Sequence, residues 1–157
     1  MGILSWFEST AYAQWVLSGL IGYPLMLTLH ALGLAIIVGV VIVISLRLLG
    51  LYASIPYTSL AGLLSVAWVG VAINVPSGSS IFMTQGTYYV TSAPFLVKIT
   101  FIIFGIINLA YTQKVLRRES AGWEAAGAVE PIGRVLAASS LVLWTVALVT
   151  GRLIAYL

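Results

Sequence analysis

The sequence predicts an all-α, integral membrane four-helix bundle with a short N-terminal interfacial helix. Three observations carry that reading. Four long apolar runs fill most of the 157 residues, charge is confined almost wholly to the gaps between them, and 61% of residues are hydrophobic against 7% charged. A soluble domain carries about 25% charged residues. A helix needs about 20 mostly apolar residues to cross about 30 Å of hydrocarbon. Four spans and short connections use up residues 1–157, so a single membrane domain is expected, with no separate soluble one.

The interfacial helix is expected at about residues 3–15, where Trp6, Phe7, Tyr12 and Trp15 lie beside Glu8, Ser9 and Gln14. Mixed aromatic and polar residues of that kind suit the membrane–water boundary. Ala11-Tyr12-Ala13 has the look of a processing site. No basic residue precedes it and Glu8 interrupts the apolar stretch, so the segment is expected to be retained.

Span one is placed at about 24–48. Pro24 suits a first helical turn, where its missing N–H has no partner to lose, and no charged residue occurs between it and Leu46. Ala31, Ala35 and Gly39 make a smooth stripe for close helix approach, within the protein's own bundle first and otherwise at a subunit interface. Span two, at about 58–76, carries Gly62, Gly70 and Asn74 and is expected to stop at Pro76-Ser77-Gly78. The loop that follows, to about Ala93, is uncharged and rich in Ser, Thr, Gly and Tyr. Span three, at about 94–116, starts at Pro94 and ends among Lys114, Arg117 and Arg118. Gly122 to Gly127 reads as a turn of interfacial helix, and span four follows Pro131 at about 132–156.

Basic residues stay on the cytoplasmic side of a membrane. Arg47 after span one, and Lys114, Arg117, Arg118 and Arg134 between spans three and four, therefore put those loops inside and both termini outside. The net charge of +3 is explained by orientation, and nucleic acid is not an expected partner. The absence of Cys excludes disulfides, thiolate metal sites and iron–sulfur clusters, and the single His excludes a multi-histidine metal site within one chain.

Ionisable groups inside a span mark function by default, because burying them in lipid is costly. His30, Lys98 and Arg152 lie about 9, 6 and 8 Å from the outer ends of spans one, three and four. Asn74 joins them at the outer end of span two. Each has a plain reading: the two cations snorkel to the surface, and His30 donates to a backbone group in the core. The functional reading makes His30 a metal ligand, as the axial nitrogen of haem b, or a proton relay, with Lys98 and Arg152 neutralising haem propionates.

Tyr23-Pro24, His30, Leu32-Gly33-Leu34-Ala35, Val38-Gly39 and Leu46-Arg47-Leu48-Leu49-Gly50-Leu51 resemble the first span of an uncharacterised bacterial family of four-span membrane proteins, a domain of unknown function. Tyr89 to Lys98, with Asn108 further on, is similar to the start of that family's third span. The Lys-and-Asn pattern is also faintly similar to the membrane region of copper-resistance protein D and to b-type cytochrome bundles. The likeness covers roughly residues 5–116. It departs at Leu27 and Ser45, where the family often carries carboxylates, and in lacking a His before the third span. The resemblance implies a bacterial inner-membrane location. Three functions are consistent with the residues. They are a haem-associated, electron-transfer subunit, a non-catalytic subunit that forms a homo-oligomer or joins a larger complex, and an oligomeric passage for a small solute or anion.

Overall fold

A computed structural model describes residues 2–156, and within them every regular element is helical. The elements are α1 (Ile3–Glu8), α2 (Ala11–Ser18), α3 (Gly22–Leu48), a 3-10 turn (Tyr57–Ser59), α4 (Leu60–Phe82), α5 (Gly86–Tyr89), α6 (Ala93–Ala126) and α7 (Pro131–Leu153). Helices α3, α4, α6 and α7 are each long and apolar enough to cross a membrane. The protein is thus a multi-pass four-helix bundle in which α3 packs on α4, α6 on α7, α3 also on α7, and α4 lightly on α6.

Three boundaries differ from those expected. The N-terminal helix is two, broken at Ser9-Thr10, because the Thr10 hydroxyl accepts the Ala13 N–H at 3.2 Å and starts a new helix there. Helix α4 does not stop at Pro76 but runs on to Phe82. Hydroxyls bond the carbonyls around the proline: Ser77 donates to the Ile73 carbonyl at 2.7 Å and Ser80 to the Pro76 carbonyl at 2.8 Å. The proline leaves one carbonyl, that of Ala72, without its intrahelical N–H, and the helix continues past it. Helix α6 does not end near residue 116 but continues to Ala126, capped by Gly127 in the left-handed region at φ 66°. Its last turns are anchored because Leu116, Ser120 and Trp123 recur on one face and are all buried.

Packing differs between the two ends of the bundle. The apolar core runs from Tyr57, Leu60, Leu116 and Trp123 up to Ile37 and Trp144. At that end Arg47 is buried, its Nε donates to the Ile55 carbonyl at 2.6 Å, and its guanidinium lies 3.8 Å from the centre of the Tyr57 ring. Glu124 accepts the Tyr57 and Thr58 N–H groups, tying the end of α6 to the 3-10 turn. At the other end, α6 buries no side chain before Gly105 and α7 none after Ala147. The His30 end of α6 and α7 is therefore less deeply buried, although Phe82 of α4 stacks on Phe95 of α6 there, ring centres 5.6 Å apart.

Closest approach of α3 and α4 occurs at Gly33 and Gly70, not at the Ala31–Ala35–Gly39 stripe. A Cβ on Gly33 would stand 2.8 Å from the Gly70 carbonyl oxygen and from the Asn74 nitrogen. The stripe faces away from the bundle: Ala31, Ala35 and Gly39 are exposed. Within the bundle that stripe therefore does no packing.

Candidate functional site

The Gly33–Gly70 contact brings the backbones of α3 and α4 together, and this sets Asn74 opposite His30. Asn74 is buried and its Nδ2 donates to the His30 carbonyl at 2.8 Å. In return the His30 ring sits with Nδ1 3.2 Å from the Asn74 carbonyl oxygen. A carbonyl only accepts, so Nδ1 carries the proton. In the neutral ring that leaves the Nε2 lone pair uncommitted, and Nε2 has no hydrogen-bond partner among the described residues. The ring rests against Gly78, where a Cβ would lie 2.8 Å from Cε1 and 3.1 Å from Nδ1. Gly78 had no role in the sequence reading beyond ending a helix. Its function, to leave room for an imidazole, becomes visible only once α4 runs through it.

Lys98 is half-buried at the same end of the bundle. Its stem passes α7 at Gly151, where a Cβ would lie 3.4 Å from Cδ and Cε and 3.7 Å from Nζ. Arg152 does not join it. It follows Gly151 directly, so it projects about 100° further round α7. It is exposed, with its guanidinium 5.9 Å from the centre of the Tyr156 ring. Of the four polar residues expected in one outer layer, His30 and Asn74 touch, Lys98 packs along Gly151 of α7, and Arg152 is exposed.

Further along the bundle, Trp144 is buried against Gly105, and its indole N–H has no partner among the described residues. Just below, Asn108 makes a second polar layer. Its Nδ2 donates to Ser139 at 2.8 Å, and its Oδ1 accepts from Ser140 and, at 3.4 Å, from Thr112. Thr112 and Ser140 also line, with Ser45, a cavity of about 10 Å³, room for one water.

The N-terminal helices cover the α3/α4 side of the His30 end. Val16 and Ala13 of α2 are fully buried there, and the Tyr12 hydroxyl is 2.8 Å from that of Ser80. Glu8 accepts both the Thr87 N–H and the Thr87 hydroxyl at 2.7 Å. These bonds hold its carboxyl below the ordinary value of 4.5.

No group of three or more His, Cys, Asp or Glu able to hold a metal ion occurs among the described residues. Any metal at His30 therefore needs a ligand set that it brings itself, as haem iron does. Comparison with known protein families, curated proteins and solved structures returns no match.

Proposed function

We propose that this protein is a membrane subunit whose outer end holds haem b through His30, in a redox-linked complex of a bacterial inner membrane. The observation that carries the reading is the state of the imidazole. A metal-bound histidine characteristically gives its other ring N–H to a carbonyl or carboxylate, which fixes the tautomer and aims the free nitrogen. His30 has that arrangement before any metal is considered, with Asn74 as the acceptor and Nε2 free.

The surroundings suit a macrocycle with acidic substituents. Lys98, at the same end of the bundle, would offer an ammonium to a propionate. Met26 stands one turn before His30 on the same helix, so it cannot grip the opposite side of one iron. His30 would be the residue that holds the iron. When bound, haem supplies one-electron transfer. The protein's own part is to fix the imidazole, neutralise the propionates and keep water from the macrocycle. The charge rule puts the Arg47 end in the cytoplasm and the His30 end, with both termini, outside.

The test is an absorption spectrum of protein purified after haem-replete expression. A Soret band is expected, and His30→Ala is expected to abolish it while the protein still inserts and purifies. A colourless wild-type preparation ends the haem reading. The second reading, a non-catalytic oligomerising subunit, then takes its place. One observation favours it: Ala31, Ala35 and Gly39 present a smooth face outward, with open space above Gly39.

A further inference from the structure

The exposed face of α6 changes character along its length. Ile103, Phe104 and Ile107 are more than half exposed and Tyr111 nearly so. The same side of the helix then carries Ala110, Lys114, Arg117 and Arg118, which with Gln113 line an open groove of about 280 Å³. From Ile103 to Lys114 the helix rises about 16 Å, close to half of the roughly 30 Å hydrocarbon thickness. Lys114 therefore comes where one leaflet ends if Ile103 lies near the middle of the membrane. Tyr111 sits one turn deeper, the level at which aromatic residues mark the boundary.

The groove has a preset wall. The Trp68 indole N–H donates to Gln113 Oε1 at 2.9 Å, and Gln113 Nε2 donates to the Ser65 hydroxyl at 3.1 Å. Both partners are on α4, so Gln113 is held at both ends and the three cations are the groups left to bind. Nearby acids do not neutralise them. The chain has four acids. Glu8 is engaged at the far end by Thr87 and Glu124 by Tyr57. Glu119 follows Arg118 directly and so lies about 100° round the helix. Glu130 belongs to the turn after α6.

We infer that this groove binds an anionic phospholipid of the adjoining leaflet, its phosphate held by Lys114, Arg117 and Arg118 and an acyl chain lying along Tyr111, Ile107 and Phe104. Charge complementarity chooses the headgroup. Guanidinium groups grip phosphate oxygens in pairs, and Ala110 leaves space beside the lysine stem. The apolar track chooses a lipid over a free anion, because soluble phosphate gains nothing from Ile107 or Phe104. The inference does not depend on what His30 binds.

The experiment is native mass spectrometry of the detergent-purified protein, titrated with phosphatidylglycerol and, separately, phosphatidylcholine. At least one phosphatidylglycerol should be retained in preference to phosphatidylcholine, and each cation replaced by Gln should weaken retention about fivefold. K114Q, R117Q and R118Q are made singly and together. Arg134→Gln, a cation at the same end but outside the groove, should leave retention unchanged. Equal retention of the two lipids by wild-type protein overturns the inference, whatever the variants do. So does equal loss in Arg134→Gln and Arg117→Gln, which would report general surface charge. Displacement of the lipid by millimolar inorganic phosphate would show that the groove takes the anion alone and the acyl track contributes nothing.

Discussion

The tautomer of His30 rests on an atom that is missing. Gly78 has no Cβ, and the imidazole lies where one would stand. The colliding atoms belong to a side chain that can rotate, so Gly78→Ala should change stability little, within about 0.5 kcal/mol. It should nonetheless push the ring off the Asn74 carbonyl. Imidazole 15N spectra check this: a single Nδ1–H tautomer in the wild type, a mixture in Gly78→Ala, and weakened haem retention if the site is loaded. An unchanged single tautomer in the variant would remove Gly78 from the site. Glu8 is the second residue with a defined prediction. Its carboxyl is held low by the Thr87 N–H first and the Thr87 hydroxyl second. A depressed folded value means the unfolded chain takes up the proton first as pH falls. The latch therefore contributes fully above the ordinary value of 4.5 and is lost as pH falls through the lower folded value. The Thr87 amide shift should titrate below that ordinary value and lie flat in Glu8→Gln; a midpoint at or above it would mean that the bonds do not form. Sequence reasoning selected His30, Asn74 and Lys98 by depth alone. Depth carries no azimuth, and Arg152, at matching depth, is exposed rather than turned into the bundle.

At the scale of elements, the spans were legible because apolar length is a one-dimensional property. Their ends were not, because an end depends on who satisfies the backbone. Pro76 reads as a stop in sequence, yet α4 gives up only the bond to the Ala72 carbonyl and runs on to Phe82. The end of α6 reads as a loop because charge replaces apolar residues after Lys114, yet Trp123 is buried against the Tyr57 ring, edge-on at 6.4 Å. Glu124 fixes that last stretch by accepting the backbone N–H groups at the start of the 3-10 turn, much as a capping side chain does. Glu124→Ala should therefore cost about 0.5–2 kcal/mol of stability, the range for losing a cap. Chemical unfolding in mild detergent measures it, and proteolysis should cut near Gly122 faster in the variant. A variant as resistant as wild type would mean that Trp123 alone holds the segment. The helix-packing face was misjudged for a related reason. Ala31, Ala35 and Gly39 repeat at spacing four, whereas Gly33 stands alone between Leu29 and Ile37, and only the partner helix decides that Gly33 with Gly70 makes the contact.

Over the whole molecule, burial is deeper at the Arg47 end than at the His30 end. Membrane helices gain little from apolar transfer between lipid and core, so association rests on close packing, and packing is uneven here. The Arg47 end fills its interior with Leu60, Leu64, Leu116 and Trp123. At the His30 end, α6 presents only half-buried or exposed side chains, Phe101 among them. The cost of truncation should follow that boundary. Leu64→Ala should destabilise by about 2–5 kcal/mol, because its neighbours cannot close the cavity. Phe101→Ala removes a larger side chain yet should cost no more than about 1 kcal/mol in protein prepared without added haem. Equilibrium unfolding of the two variants in the same detergent makes the comparison, and equal costs would refute the asymmetry. A ligand that binds only the folded bundle adds stability in proportion to its occupancy. If the His30 end is where haem b sits, loading the protein should raise the cost of Phe101→Ala and leave that of Leu64→Ala where it was. A cost at Phe101 that ignores loading would mean that this side chain does not touch the group.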